Sequence, residues 1–213
     1  MTLILEASNL SLDDVHRLLK PEKQIGESFA NLLSLEPITE IEQQDLWRIR
    51  DDFDRYLSAG KISEGMVKFL TLAPLMRLTG FYDAPIKMTM EDSIAISVED
   101  EDTTITGRMD ILAVNNARSL NAANFWILVI EAKNSAIAVS EGLPQLLTYA
   151  FKSLDRQSSV WGLATNGESY RFVRLSQGNP PIYQILPELN LIDRDRSLQL
   201  IQVLKAICKL QDD

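Results

Sequence analysis

Apolar and polar positions recur with a helical period in the N-terminal third of the chain and with a period near two after it. Ser11-Leu12-Asp13-Asp14 pairs a serine with an acid three residues later, a capping-box pattern. It predicts a helix to about Lys20, just before Pro21. Residues 25–35 fit a strand or a short helix equally well. Thr39 and Glu42 form a second capping box. Ile41, Leu46, Ile49, Phe53, Tyr56 and Leu57 then recur at helical spacing as far as Gly60, a helix stop. Ile62–Thr79 is apolar nearly all round, as in a buried helix. Pro74 should kink or split it, and Gly80 should end it.

From residue 85 the spacing changes. Residues 85–98 read as one strand, Glu99-Asp100-Glu101-Asp102 as an acidic turn, and Thr103–Ile105 as the lead into a strand over Gly107–Val114. The polar run 115–121 is a turn, and Phe125–Ala132 a buried strand. Ser140 should cap a helix that carries Gln145, Tyr149 and Lys152 on one face. Leu146, Leu147, Ala150, Phe151 and Leu154 lie on the other. Val160–Ala164 and Ser169–Leu175 are strands joined by a hairpin turn at Thr165-Asn166-Gly167-Glu168. After a loop at 177–181, Leu198, Ile201, Leu204, Ile207 and Cys208 mark a last amphipathic helix. The expectation is a mixed α/β (α+β) chain: a central mixed β-sheet of about five strands flanked by helices. Residues 1–60 would be a helical N-terminal extension packed on the core, and 61–213 the main domain.

Composition narrows the chemistry. With 213 residues, 46% of them hydrophobic and 24% charged, the chain reads as soluble and globular. No apolar run reaches the roughly 18 residues of a membrane span, and the first residues lack the basic start of a secretory signal. A cytoplasmic location is expected, with no membrane partner. Cys208 is the sole cysteine, which excludes an internal disulfide and thiolate-rich zinc sites. His16 is the sole histidine and falls in an apparent surface helix, so chemistry based on a histidine base is not expected. The net charge of −9 argues against general nucleic-acid binding. Clustered acids that hold a cation locally reverse that field.

The candidate chemistry lies in Gly107–Lys133. Asp110 sits in the first β-prone run, and the second ends in Glu131-Ala132-Lys133. On a strand, Glu131 and Lys133 share a face and Ala132 takes the other. Charges so close to a buried run are costly unless paired or bound to a metal. Two carboxylates suffice for Mg²⁺ when water and substrate phosphate complete the shell. Lys133 could then orient water or stabilise charge on phosphorus, and the Ala132 carbonyl could be a further ligand. Alternatively the three residues form a salt bridge at a sheet end. Glu64 and Lys68, four apart, equally suit an ordinary helical ion pair, and the acidic turn at 99–102 a solvated hairpin tip.

The ordered set of motifs resembles the PD-(D/E)xK nuclease superfamily, in particular the N-terminal nuclease domain of the R subunits of type I restriction enzymes. Ser63-Glu64 through Lys68 to Ala73-Pro74-Leu75 and Gly80 is similar to that family's first helix. Gly107-Arg108-Met109-Asp110 is similar to its aspartate strand, and Val129-Ile130-Glu131-Ala132-Lys133-Asn134 to its Glu-x-Lys strand. Gln145-Leu146-Leu147-Thr148-Tyr149 matches its Gln-x-x-x-Tyr motif, and Ala164-Thr165-Asn166-Gly167, with Tyr170 and Phe172, its downstream hairpin. The resemblance covers about Ile62 to Leu175.

It implies a restriction-endonuclease-like fold and Mg²⁺- or Mn²⁺-dependent DNA endonuclease activity. It also implies Glu64, Asp110, Glu131 and Ala132 at the metal, and Asp110, Glu131, Lys133, Gln145 and Tyr149 in catalysis. Gln145 would bond phosphate or a water at the metal, Tyr149 would touch DNA, and Lys152 would extend that surface. The partners implied are DNA and a separate translocase or modification subunit. The sequence has no Gly-x-x-x-x-Gly-Lys-Ser/Thr loop and no room for a motor, and the insert between Asp110 and Glu131 is long for the family. Two other functions compete: a catalytically silent binding module that keeps the fold, and an acidic inhibitor that mimics DNA through residues 91–102.

Overall fold

The structure is a computed structural model that describes residues 3–98, 102–116 and 125–210. Most of the expected acidic tip (99–101) and most of the turn after Asn115 lie outside the described residues. The described chain is mixed α and β, with eleven strands in two sheets.

The large sheet is built around β7 (Phe125–Ala132) and β8 (Ser159–Thr165), which run parallel. β9 (Ser169–Ser176) returns antiparallel to β8 through the Asn166-Gly167 turn, where Gly167 has φ +92°, a conformation that favours glycine. Beyond β9 come β10 (Ile182–Ile185) and, parallel to it, β2 (Glu22–Ile25). On the other side of β7 lie β6 (Ile111–Asn115) and the edge strand β3 (Ile86–Met90), both antiparallel. The short β11 (Leu189–Asn190) also pairs with β9. A separate small sheet holds β1 (Leu3–Glu6), β5 (Thr103–Arg108) and β4 (Ser93–Val98) in that order.

Both faces of the large sheet are covered, which explains why β7 and β8 read as apolar runs rather than alternating ones. Along β7, Leu128, Ile130 and Ala132 face one core and Val129 the other. The first core is filled by α2 (Glu40–Ser58), by the helix beginning at Glu64 and by α6 (Arg194–Cys208). The second is filled by α1 (Leu12–Leu19), α5 (Leu143–Ser153) and the small sheet. The expected capping boxes are present at Ser11–Asp14 and Thr39–Glu42. Glu42 also pairs with Lys205 at 2.5 Å, tying the start of α2 to α6.

Several expectations need correction. The sheet has more than five strands, because β2, β10 and β11 are short and carry little periodic signal. Residues 3–60 are not only helical: β1 joins the small sheet and β2 the large one, so position 60 marks no boundary between an extension and a core. Residues 85–98 form two strands, β3 and β4, which belong to different sheets and are separated at Glu91, φ +58°. The interruption expected at Pro74 takes the form of a π-helical turn, with no break in the chain of helical turns. α3 (Glu64–Val67), a π-helical turn (Lys68–Leu72) and α4 (Ala73–Leu78) run on continuously. The wide turn ends two residues before Pro74, whose missing N–H and ring make a regular turn costly there. Ser140 is exposed in a 3-10 turn and does not cap α5, which starts from Gly142 with no side-chain cap. No helix among the described residues is long and apolar enough to cross a membrane.

Candidate functional site

The stretch expected to be one strand around Asp110 is broken at Asp110 itself. β5 ends at Arg108 in the small sheet and β6 begins at Ile111 in the large one. Asp110 therefore sits at the junction of the sheets, one residue beyond the Ile111–Ile130 pair and across from Glu131. Backbone bonds fix the junction: Met109 N–H donates to the Asp92 carbonyl at 2.9 Å and Glu91 N–H to the Asp110 carbonyl at 3.3 Å.

Around this junction the expected residues converge. Asp110 Oδ2 accepts from the Ala132 N–H at 2.7 Å, while Asp110 Oδ1 lies 2.8 Å from Lys68 Nζ. The same ammonium lies 2.8 Å from Glu64 Oε1. Glu64 and Lys68 thus do form the i,i+4 pair, and the pair reaches across to the sheet. Helix and sheet are held in register by Ile62 N–H on Ser135 Oγ (2.9 Å) and Ser135 N–H on the Ile62 carbonyl (3.0 Å). On β7, Lys133 Nζ donates to Glu131 Oε1 at 2.6 Å and to Gln145 Oε1 at 3.1 Å. Gln145 Nε2 then donates to the Tyr149 hydroxyl at 2.8 Å, and that oxygen also accepts the Arg108 N–H at 3.2 Å.

Glu131 is the least comfortable member. Its side chain is 2% exposed, and its Oε2 is buried with no hydrogen-bond partner among the described residues. Gly142, at the start of α5, passes against it: a Cβ there would lie 3.3 Å from Glu131 Cγ. Burial pushes the Glu131 carboxyl up to about 8, and the neighbouring Asp110 adds to the rise, against the pull of Lys133. Burial works against the charge on Lys68, but its hydrogen bonds to Asp110 and Glu64 prevail and hold its pKa above the ordinary lysine value.

Tyr149 departs from expectation. It is buried, so it offers no surface to DNA. Burial raises its hydroxyl to about 12, which leaves it neutral. Gly107 explains its place: a Cβ at 107 would lie 2.8 Å from the Tyr149 ring and hydroxyl, so only glycine leaves room for the ring beneath β5. Tyr149 positions Gln145, and through it Lys133. Tyr149→Phe should leave the Arg108 amide and Gln145 each short of an acceptor, and so destabilise the protein by about 1–3 kcal/mol in urea titrations. Lys152 is also outside the cluster, paired with Asp155 at 2.9 Å on the surface. His16, expected on a surface helix, is half-buried and bonds the Tyr183 hydroxyl at 2.8 Å.

No group of three or more His, Cys, Asp or Glu side chains among the described residues forms a ready-made metal cage. A divalent ion that keeps much of its water shell needs less. Asp110, Glu131 with its unpartnered buried oxygen, and the Ala132 backbone between them fit such an ion, with Glu64 at the margin. Compared with models of known protein families and with curated proteins, the chain gives no match.

Proposed function

We propose that this protein is a metal-dependent deoxyribonuclease domain that hydrolyses DNA phosphodiesters, with a restriction-endonuclease-like core akin to the nuclease domain of type I restriction R subunits. The observation that carries the reading is the buried Glu131 Oε2, which has no hydrogen-bond partner among the described residues and sits beside Asp110 at one sheet end. A carboxylate oxygen left so has a cost that a cation would remove. Asp110, Glu131 and the Ala132 carbonyl would hold Mg²⁺ or Mn²⁺, which supplies Lewis acidity toward the phosphoryl oxygen and the attacking water. Lys133 presents its ammonium at the same place, to orient water or to offset charge developing on the phosphoryl group. Gln145 and Tyr149 hold that ammonium in position. DNA is the proposed partner, along with a separate translocase or modification subunit.

The test is incubation of the purified protein with supercoiled plasmid and Mg²⁺ or Mn²⁺. Nicked or linear product is expected, and EDTA should stop its formation. An intact plasmid with both ions would remove the enzymatic reading. The second reading, a silent binding module, draws on the net charge of −9 and on the lysines, both paired to carboxylates within the cluster. It predicts binding of a partner that is indifferent to Glu131→Gln.

A further inference from the structure

The two carboxylates at the sheet end are not equally open. Glu131 gives one oxygen to Lys133 and keeps the other unpartnered. Each oxygen of Asp110 already accepts one bond, Oδ2 from the Ala132 amide and Oδ1 from Lys68. The amide belongs to β7 and cannot withdraw without breaking the strand. Oδ1 is therefore the oxygen whose partner can move aside, and that partner is an ammonium. Lys68 binds Glu64 at the same distance, so one side-chain cation bridges two carboxylates from two different elements, with itself and Asp110 each only 16% exposed.

We propose that Lys68 is a tethered cation that occupies the Asp110–Glu64 side of the site, and that a divalent ion must displace it to bind. This rests on the metal-dependent reading above. A Mg²⁺ ion at its usual distance of about 2.0–2.1 Å from Oδ1 would stand within a few ångströms of Nζ. Two positive charges that close repel by several kcal/mol even at a surface-like dielectric. The ammonium sits on a flexible four-carbon stem and can swing away. Glu64, 44% exposed, has room to follow the lysine or to stay with the ion. The helix also offers a reason for the lysine's place. Lys68 is the first residue of the π-helical turn, a local widening that recurs at functional sites.

A merely structural Lys68 and a competing Lys68 give different results when the charge is removed. If it only braces helix to sheet, Lys68→Met lowers stability and leaves metal affinity alone. If it competes, Lys68→Met lowers the stability of the metal-free protein, because Asp110 and Glu64 then face each other without a cation, and it tightens metal binding.

The experiment is titration of Mn²⁺ into the whole chain, followed by the loss of free-ion paramagnetic signal, for the wild type, Lys68→Met, Lys68→Gln and Lys68→Arg, with thermal melts of each in EDTA and in Mn²⁺. The neutral variants should bind Mn²⁺ at least about tenfold tighter than the wild type, and their melting temperatures should rise more on metal addition. Lys68→Arg should stay close to wild type. If Lys68→Met does not fold without metal, Lys68→Gln, which keeps hydrogen-bond donors, carries the comparison. Equal or weaker Mn²⁺ binding by both neutral variants overturns the proposal and leaves the metal-dependent reading standing. No Mn²⁺ binding by any of the four proteins overturns that reading itself.

Discussion

Lys133→Met should abolish metal-dependent DNA cleavage, by at least about 100–1000-fold in initial rate, while the protein still folds and still binds Mn²⁺. Methionine keeps most of the stem and removes the ammonium. That ammonium bonds Glu131 at 2.6 Å and Gln145 at 3.1 Å, and it is 22% exposed, so it is fixed from behind and open to a ligand in front. Glu131 holds it from its own strand and Gln145 from α5, so the charge is preorganised before a ligand arrives. Plasmid cleavage, a thermal melt and Mn²⁺ titration on the same sample check the three parts. Wild-type cleavage by a folded Lys133→Met would show that the ammonium takes no part in the chemistry.

Glu131→Gln should change the pH dependence of stability more than any other single substitution in the cluster. The carboxyl of Glu131 is raised from an ordinary 4.5 to about 8 in the folded protein, through burial first and Asp110 second. The folded state therefore prefers the protonated acid. Its contribution to stability is fully present below about pH 4.5 and is lost as pH rises toward 8. Glutamine has no such proton, so the variant should match the wild type near pH 4.5 and exceed it near pH 8, by on the order of 4 kcal/mol. Glu42 and Glu188, whose carboxyls are held low by Lys205 and Arg171 against the opposing effect of burial, lose their stabilisation only in acid, and they do so in both proteins. Urea titrations from pH 5 to pH 9 give the comparison, and parallel curves for the two proteins would refute it. In Mg²⁺ the wild-type slope should flatten, because an ion that favours the carboxylate offsets its burial.

What was legible in the sequence divides along physical lines. Helices with strong local signals were readable: the capping boxes at Ser11 and Thr39 depend on four consecutive residues and hold as expected. The convergence of Asp110, Glu131, Lys133 and Gln145 with Glu64 was implied by the resemblance of the ordered motifs, and not by strand and helix periods, which set only the face a side chain takes on its own element. Long-range pairing was not readable. β1 and β2 are four-residue strands whose partners lie far away in the chain, and nothing local distinguishes them from loop.

The break at Asp110 was also hidden, because Gly107–Val114 keeps strand character throughout while it changes sheets. Tyr149 is buried although a tyrosine on the polar face of a helix reads as a surface group. The glycine that makes room for it lies about 40 residues earlier, at 107. In the sequence Lys68 reads only as the partner of Glu64, because its second bond, to Asp110, crosses from one element to another.

The parallel pairing of β2 with β10 has a consequence for how the protein is made. Glu22 pairs with Ile182 and Leu3 with Thr103. β1 and β2 therefore leave the ribosome well ahead of their neighbours, by 100 residues (3 to 103) and 160 residues (22 to 182). Contacts of such separation close late, after loop entropy has been overcome by local structure. Domains built this way spend part of their synthesis with bare strand edges. Here those edges include Leu3, Ile4 and Ile25, all of which keep apolar surface exposed even in the finished fold. The side chains of Glu64, Lys68, Asp110, Glu131, Lys133 and Gln145, by contrast, come from a shorter span, and both neighbours of their central strand β7, β6 and β8, precede β10 in the chain.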